Sequence, residues 1–255
     1  MTVPATRTTL TETPVAQSLI PLFELDTWRP LGLRAGITGR HGSFDLGLFA
    51  DGRAGAVLEH WLAFEAAQGS AVRGMAVSRQ VHGGRVSVHD QAGPGWFVSD
   101  GFDGHLTAQK GLLLTITVAD CVPIYLAHPD SGTVALLHAG WRGAAAGILE
   151  NGIQEMIGHS GCPTTEIVMH CGVSICGECY EVGPEVIRAV TGKAATSPGR
   201  LDLRSALCDR AEREGVRDMT VSTWCASHDM DLFFSHRRSR GSDGRMVAYL
   251  GVPAA

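Results

Sequence analysis

The sequence predicts an α/β fold in which helices cover a mixed sheet within one domain. Short runs rich in β-branched residues, separated by Gly, Pro and Asp, fill much of the region between residues 72 and 139. The run GLLLTITVA at 111–119 is apolar almost throughout, as expected of a central strand that is covered on both faces. Amphipathic segments occur before and after these runs, and they supply the helices.

The domain organisation is predicted to be simple. Residues 1–17 are rich in Thr, Pro and Ala and show no periodicity, so we expect a disordered N-terminal tail. No internal repeat is present, and no linker rich in Pro, Gly or Ser divides the rest of the chain. We therefore expect residues 18–255 to form a single domain.

The first half of the chain contains one predicted helix and several strands. The helix covers AVLEHWLAFEAA at 56–67, where Val57, Trp61 and Phe64 recur at helical spacing. The predicted strands of this half are MAVSRQVH (75–82), RVSVH (85–89), GLLLTITVADC (111–121), PIYLAH (123–128) and TVALLHAG (133–140).

The second half continues with alternating elements. Residues 133–158 predict a strand, a turn and a helix, with Arg142 at the start of the helix. A second helix begins at Pro184, because proline is tolerated in the first turn, and a third helix ends at Gly215. The remaining predicted strands are EIVMHCGV (166–173), MTVSTWC (219–225) and RMVAYLGV (245–252).

The composition argues against two classes of partner. A net charge of −5 and a pI near 6.1 give no basic surface for nucleic acid. No stretch reaches the roughly 18 apolar residues that a membrane span requires. Seven cysteines, an odd number in a chain without a secretory apolar region, argue against a complete disulfide framework. We expect a cytoplasmic protein that binds neither nucleic acid nor membrane, and the oligomeric state is left open.

Three side chains that can bind metal stand where predicted strands end: His82 in QVHGG, Cys121 in VADCVP and His138 in LLHAGWRG. Side chains at such positions project into a crevice while the sheet holds them in place. Two imidazoles and a thiolate form a three-ligand set that leaves the fourth position of zinc open to water. The same residues also fit a Cys-His hydrolase, with Cys121 as nucleophile and His138 as base.

Four arginines are candidate phosphate ligands. Arg142 follows HAGW at the predicted start of a helix, so its guanidinium and the free N–H groups there can converge on one phosphate. Arg40 in the GRHGS loop, and Arg237 and Arg245 near the C-terminus, are further candidates. Any of the four can equally be solvated or ion-paired.

Other residues allow both a functional and a structural interpretation. Asp103 and Asp120 can orient ligand histidines, or they can cap turns. Trp141 can stack on a base or pack in the core.

A group of cysteines in HCGVSICGECYEV includes one C-x-x-C pair, formed by Cys176 and Cys179, with Cys171 nearby. No second C-x-x-C is present to complete a four-thiolate site. We therefore expect buried thiols there rather than a structural metal.

Six motifs together resemble the YfiH-like family, also called the laccase-domain or multicopper polyphenol oxidase group, whose bacterial members include the peptidoglycan editing factor. The resemblance runs from about residue 35 to 252 and covers both the order and the spacing of the motifs. The motifs are QVHGGRV, DGHLT, VADCVPIYL, LLHAGWRG, CYEVGPEV and DLFFSHRRSRGSDGRMVAYLGV.

The resemblance implies a single α/β sandwich related to that of Cys-His deamidase toxins. It also implies one zinc ion per chain, or a copper ion, on His82, Cys121 and His138. The implied activity is that of a purine nucleoside phosphorylase with adenosine deaminase and methylthioadenosine phosphorylase activities, for which Cys121, His138 and Arg142 are the candidate catalytic residues. The alternatives are a Cys-His hydrolase that removes L-serine from cell-wall precursors, a copper-binding polyphenol oxidoreductase, and a non-catalytic partner of the cell-wall machinery.

Two features qualify what the family names imply. A laccase needs many histidines in paired His-x-His motifs, and this chain contains no His-x-His. Relatives usually carry NLG and NRxRL where this chain has Asp45 in FDLG and His60 and Trp61 in EHWLAF. A lost cation and a gained anion oppose phosphate binding, so the resemblance supports metal binding more firmly than phosphorolysis.

Overall fold

The computed structural model describes residues 5–49, 54–91 and 93–254. These residues form two large mixed sheets flanked by helices, and a small antiparallel sheet of two strands. The strands in chain order are β1 (Thr6–Leu10), β2 (Thr13–Pro14), β3 (Leu22–Glu24), β4 (Arg34–Thr38), β5 (Gly74–Arg79), β6 (Val86–His89), β7 (Gly95–Asp100), β8 (Gly104–Thr107), β9 (Leu112–Val118), β10 (Val122–His128), β11 (Thr133–Ala139), β12 (Val168–Cys171), β13 (Glu181–Val182), β14 (Gly199–Arg200), β15 (Asp218–Ser222) and β16 (Met246–Gly251). The helices are α1 (Ala54–Gln68), α2 (Trp141–Ala145), α3 (Ile148–Ser160), α4 (Pro184–Thr191), α5 (Leu203–Glu214) and α6 (His236–Ser239).

Each large sheet has seven strands. The first sheet has the order β1-β15-β12-β10-β11-β8-β6, and the second has the order β2-β3-β4-β16-β9-β5-β7. Both sheets combine antiparallel and parallel pairs, so the predicted mixed α/β class is confirmed. The predicted central strand is β9, which pairs with β16 on one side and β5 on the other. The strands without a counterpart among the predicted elements are β1, β2, β3, β4, β7, β8, β13 and β14.

The layers follow from the two-residue alternation of the strands. In β10, Ile124 and Leu126 pack against α3, α4 and α5, whereas Tyr125 packs in the core between the sheets. In β16, Ala248 faces that same central core and Val247 packs against α1. The order of layers is therefore helices, first sheet, second sheet and helix, which is a four-layer sandwich.

The predicted helices are present, with one difference. The helix expected to begin at Arg142 is interrupted at Gly147, which adopts a left-handed conformation at φ 79° and separates α2 from α3. Glycine reaches this conformation without steric cost, and the chain changes direction there. The helix α4 begins at Pro184, and Gly215 at φ 105° ends α5, as predicted.

The prediction of a disordered tail over residues 1–17 is wrong for residues 5–17, and residues 1–4 lie outside the described residues. Strand β1 pairs in parallel with β15 at the edge of the first sheet, and Glu12 is fully buried. The carboxylate of Glu12 accepts a hydrogen bond of 2.6 Å from Ser222 Oγ. Backbone pairing holds this edge strand while its side chains stay mostly exposed, so no hydrophobic pattern marks it.

The lower domain boundary at residue 18 stays a prediction, and residues 50–53, 92 and 255 of the predicted domain lie outside the described residues. Among the helices that the structure describes, none combines the length and the apolar character that crossing a bilayer requires.

A buried histidine makes the fold sensitive to acid. His105 in β8 is fully buried, with its Nδ1 2.9 Å from Nε2 of His89. Burial is the main cause that lowers the pKa of His105 from 6.5 to about 3, and the positive charge of His89 acts in the same direction. The unfolded chain therefore takes up a proton near pH 6.5 that the folded chain refuses. The ionisation of this histidine therefore costs the fold no stability above pH 6.5, and the free energy of unfolding decreases as the pH falls below that value.

We predict that the free energy of unfolding falls more steeply between pH 6 and pH 4 in the wild type than in His105→Gln. The difference in slope should approach about 1.4 kcal/mol per pH unit, the value for one proton. Urea unfolding followed by tryptophan fluorescence at several pH values measures both slopes. His41→Gln, which changes an exposed ring, is the control and should keep the wild-type slope. Parallel slopes for wild type and His105→Gln would contradict the prediction.

Candidate metal centre

The loop after β5 carries His82 and is held by one buried carboxylate. The backbone N–H groups of Val81, His82 and Gly83 donate to the two oxygens of Asp103 at 3.1, 2.9 and 2.7 Å. His82 itself has a positive φ of 60°, a conformation that non-glycine residues rarely adopt. Three charge-assisted hydrogen bonds offset this strain and hold the His82 backbone in place.

Strand register brings Cys121 beside His138. The segment Ala119–Cys121 crosses from β9 in the second sheet to β10 in the first sheet. In the β10–β11 pair, Pro123 lies opposite His138. The thiol of Cys121, at the end of the connection from β9 to β10, therefore lies next to the ring of His138 on the neighbouring strand β11.

The ligand atoms of His82, Cys121 and His138 all lie within 4.8 Å of one another. The two imidazole rings are 4.8 Å apart and are inclined at 74°. Gly140 makes this approach possible, because a Cβ there would lie 2.9 Å from Cys121 Sγ and 3.2 Å from the His82 ring. His138 is buried, Cys121 is half-buried and His82 is exposed, so the group is open on one side. This arrangement can hold a metal ion with one position left for a ligand.

Asp103 also orients His138. Its Oδ1 lies 2.8 Å from Nδ1 of His138, which leaves Nε2 as the nitrogen that can bind an ion. Burial opposes ionisation of this carboxyl, but the hydrogen bonds from His138 and the loop amides outweigh it and lower the pKa of Asp103. Asp103 therefore combines both predicted roles, since it contacts the ring of His138 and accepts the N–H groups of the turn at residues 81–83.

Cys121 and His138 form a strongly polarised pair when no ion is bound. Burial tends to raise the pKa of Cys121, but the charge of His138 and hydrogen bonds from His138 and His82 lower it to about 6. Burial likewise opposes the charge on His138, and the thiolate and Asp103 raise its pKa to about 9. A thiolate facing an imidazolium is therefore the favoured state near neutral pH.

Two adjoining pockets of about 260 and 440 Å³ open onto this group: His82 and Cys121 line both, and His138 lines the larger one. The smaller pocket has Trp141, Tyr180 and Arg237 on its walls, and the larger one has Gln80 and Arg245. The residues that line both pockets are His82, Ala119, Cys121, Arg142 and His236.

The structure places three of the four predicted phosphate-binding arginines at the pockets and the fourth elsewhere. The exposed guanidinium of Arg142 lies 4.5 Å from the Trp141 ring and pairs with no carboxylate among the described residues. Arg237 and Arg245 each line one pocket. Arg40 pairs instead with Asp243 at 3.4 Å and lines neither pocket.

Of the two roles predicted for Asp120, the contacts fit the capping of a turn. Its Oδ2 accepts a hydrogen bond of 2.6 Å from the backbone N–H of Arg237 in α6. Asp120 therefore positions Arg237 and does not orient a ligand histidine. Trp141 combines the two predicted alternatives, because its half-buried ring packs against the helical core and also lines the smaller pocket.

Sequence reasoning had not selected Tyr180 and His236 as site residues. Both stand inside quoted motifs, Tyr180 in CYEVGPEV and His236 in DLFFSHRRSRGSDGRMVAYLGV. Their position within those motifs was the available indication.

The three departures from the family pattern lie beside the larger pocket. Asp45 Oδ1 accepts backbone N–H groups from Gly47 at 2.9 Å and Arg245 at 2.8 Å. His60 Nδ1 contacts the Asp45 carbonyl at 2.8 Å, and the buried Trp61 donates to the Leu46 carbonyl at 3.0 Å. These residues shape the loop that carries Gly47 but do not themselves line either pocket.

Known proteins share this fold and are similar in sequence over most of the length of this chain. A purine nucleoside phosphorylase from Deinococcus radiodurans is 39% identical over 206 residues, covering 77% of this chain and 78% of that protein. The purine nucleoside phosphorylase YlmD from Geobacillus stearothermophilus is 34% identical over 253 residues, covering 86% and 90%. Its crystal structure superposes with a TM-score of 0.82, with 28% identity over 95% of this chain and 100% of that one.

An adenosine deaminase, RL5, from an unknown prokaryotic organism is 32% identical over 190 residues, covering 67% of this chain and 72% of that protein. The family described as multi-copper polyphenol oxidoreductase laccase matches residues 29–253. The chain therefore belongs to this laccase-domain family.

Proposed function

We propose that this chain is a zinc-dependent purine nucleoside phosphorylase that also deaminates adenosine and phosphorolyses methylthioadenosine. The observation that carries the proposal is the convergence of His82, Cys121 and His138 where two pockets meet. The names of the relatives support the substrate class. A cytoplasmic location remains part of the proposal and agrees with seven free thiols.

The residues present fit a zinc ion. Two imidazoles and one thiolate suit zinc or copper, and the carboxylate of Asp103 behind His138 is the usual outer partner of a metal-binding histidine. A zinc ion on these ligands would supply Lewis acidity and a water activated near neutral pH, as deamination at C6 of adenine requires.

The donor set does not fit a multicopper oxidase. All eleven histidines lie within the described residues, yet only His82 and His138 belong to this centre. A cluster that reduces oxygen needs many more histidine ligands close together. We therefore do not propose phenol oxidation, despite the family's description.

The pocket walls offer partners for each part of a nucleoside and for phosphate. Arg142 has no carboxylate partner among the described residues, so its charge is available to a phosphate oxygen. Trp141 and Tyr180 present aromatic surface to a purine ring. Asp120 Oδ1 is buried and lacks a hydrogen-bond partner within the described part of the chain, so it can accept an N–H of the base.

These contacts suggest how the chain acts on its substrate. Arg142, with Arg237 and Arg245 nearby, would hold phosphate beside C1′ of the ribose while the bond from C1′ to the base breaks. The aromatic walls would exclude water from the base. Arg40 is left out of this proposal because its charge is already paired with Asp243.

One observation favours a second candidate function, that of a Cys-His hydrolase. Asp103, His138 and Cys121 are arranged as orienter, base and nucleophile, and the lowered pKa of Cys121 makes its thiol reactive. The substrate class in that case would be an L-serine-containing cell-wall precursor. The two functions differ in whether a chelator abolishes activity.

We predict that Arg142→Ala raises the KM for phosphate in inosine phosphorolysis by about 10- to 100-fold, which corresponds to one lost charge-assisted hydrogen bond. Adenosine deamination uses no phosphate and should change much less. Chromatography of inosine and adenosine with and without phosphate measures both reactions. The control is Arg238→Ala, since Arg238 is exposed and lines neither pocket. An unchanged KM would contradict the role of Arg142, and no conversion of either nucleoside by the wild type would overturn the substrate class.

We predict that Asp103→Asn lowers zinc affinity by about 10- to 100-fold, because the outer partner of His138 loses its charge. Competition with a chromophoric chelator measures the affinity. Activity should return when zinc is added in excess, which distinguishes weaker metal binding from misfolding. Equal affinities in variant and wild type would show that Asp103 has no influence on the metal.

We predict that chelation abolishes nucleoside conversion and that added zinc restores it. Iodoacetamide should inactivate the chelated protein irreversibly and the zinc-loaded protein slowly, because a metal-bound thiolate is shielded. Cys162→Ala, which removes a buried thiol that lines neither pocket, is the control and should keep the wild-type response. Activity that survives chelation but not alkylation would favour the hydrolase.

A further inference from the structure

A second group of metal-binding side chains lies outside the centre described above. The ligand atoms of Cys176, Cys179, Cys225 and His228 all lie within 4.8 Å of one another. Cys171, which is fully buried, does not belong to this group. The expectation of buried thiols is wrong for Cys176 and Cys179, which are only half-buried.

Two thiol contacts to the His228 ring are near the spacing of donors in a tetrahedral site. Cys179 Sγ lies 3.1 Å from His228 Nε2, and Cys176 Sγ lies 3.7 Å from His228 Nδ1. With zinc bonds of about 2.3 Å to sulfur and about 2.0 Å to nitrogen, two tetrahedral donors are separated by roughly 3.5 Å. The two sulfurs contact different nitrogens of the ring, and only one nitrogen can bind the ion, so a rotation of the His228 side chain and a shift of the thiols are needed to close the site.

Two backbone turns present the four side chains in pairs. The N–H of Cys179 donates to the carbonyl of Cys176 at 3.1 Å, and that of His228 donates to the carbonyl of Cys225 at 3.1 Å. Each turn places its first and last side chains on the same side, as the C-x-x-C spacing of zinc sites requires. The second turn is a C-x-x-H, and it takes the place of the missing second C-x-x-C.

The two turns are fixed to one another by the backbone. Ser174 and Cys225 form an isolated parallel bridge, and the N–H of Ala226 donates to the carbonyl of Ser174 at 3.0 Å. The N–H of Cys176 also points at Cys225 Sγ at 3.3 Å, the type of contact that stabilises a thiolate. The fold therefore assembles the donors before any ion binds. The exposed ring of His228 leaves a path by which an ion can enter.

We propose that Cys176, Cys179, Cys225 and His228 bind a second zinc ion, which is structural. Three thiolates and one imidazole fill all four tetrahedral positions, so no position is left for a substrate. A set of this composition favours zinc over the hard cations, which prefer oxygen ligands. The proposal does not depend on the function proposed for the first centre.

The second zinc would stabilise one wall of the smaller pocket. Tyr180 directly follows the ligand Cys179, and Ile175 directly precedes Cys176, and both line that pocket. The guanidinium of Arg237 lies 5.1 Å from the Tyr180 ring and donates to the carbonyl of Glu181 at 2.8 Å. An ion at the turns would hold this segment while leaving the chemistry to the first centre.

Elemental analysis tests the proposal directly. Protein purified with a non-thiol reductant, saturated with zinc and freed of excess by gel filtration should hold two zinc ions per chain. We expect one ion in Cys121→Ala, one in Cys179→Ser and none in the double variant. The control Cys162→Ala, at a buried thiol outside both groups, should hold two. A wild type with one zinc ion, all of it lost in Cys121→Ala, would overturn the proposal.

Variants at the exposed His228 separate ligand loss from misfolding. His228→Cys completes a four-thiolate set and should keep two zinc ions. His228→Ala should release its second ion at a chelator concentration at least tenfold lower than the wild type, with an unchanged circular dichroism spectrum in excess zinc. Release of that ion at the same concentration as in the wild type would overturn the assignment of His228.

Replacing zinc by cobalt tests which side chains bind the ion, because thiolate ligands give cobalt a characteristic absorption. Cys121→Ala protein loaded with Co²⁺ should show intense thiolate-to-cobalt absorption. Adding Cys176→Ser or Cys179→Ser to this protein removes one of the three thiolates, so the absorption should fall by about one third in each case. Absence of thiolate absorption in the Cys121→Ala protein would overturn the proposal. A disulfide between any two of these cysteines in freshly purified, zinc-treated protein would do so as well.

Discussion

The buried carboxylate of Asp103 is the contact on which the arrangement of the first centre depends. Its oxygens accept backbone N–H groups from the loop that carries His82, and Oδ1 also contacts the ring of His138. Its own carbonyl accepts the backbone N–H of His138 at 2.7 Å. One residue thus fixes two of the three candidate ligands. A buried charge is stable here because each oxygen accepts hydrogen bonds, which is the condition for retaining a carboxylate in a core.

The third candidate ligand depends on how the two sheets are joined. The chain crosses between them at Ala119–Cys121, and the register of β10 on β11 then brings Cys121 to His138. Asp120 adopts a positive φ of 79° at the crossing, and its carboxylate holds the backbone of Arg237. Backbone strain at His82 and Asp120 is therefore concentrated at the site, where surrounding hydrogen bonds offset it. A candidate ligand and a candidate phosphate-binding residue are positioned by the same turn.

The proposed structural zinc and the first centre share one wall of the smaller pocket. The segment that carries Cys176 and Cys179 also carries Ile175 and Tyr180 into that pocket. The backbone N–H of Ile175 donates to the carbonyl of Asp120 at 3.0 Å, so the segment is anchored beside Cys121 as well. Rigid support of this kind matters because small displacements of binding groups cost much of their contribution to a reaction.

The sequence by itself determined β9, β10 and β11, whose short apolar runs mark strands covered on both faces, and α5, whose apolar residues recur at helical spacing. It also selected His82, Cys121 and His138, since strand ends beside glycine turns are identifiable in a linear chain. Tertiary structure decided the rest. The edge strand β1 is held by backbone pairing and leaves no side-chain pattern. Only spatial proximity distinguishes Asp103 from Asp120, pairs Arg40 with Asp243, and brings Cys225 and His228 to a C-x-x-C turn far away in the chain. Such contacts depend on where segments that are distant in sequence pack against one another, and the spacing of residues along the chain does not show how close those segments come.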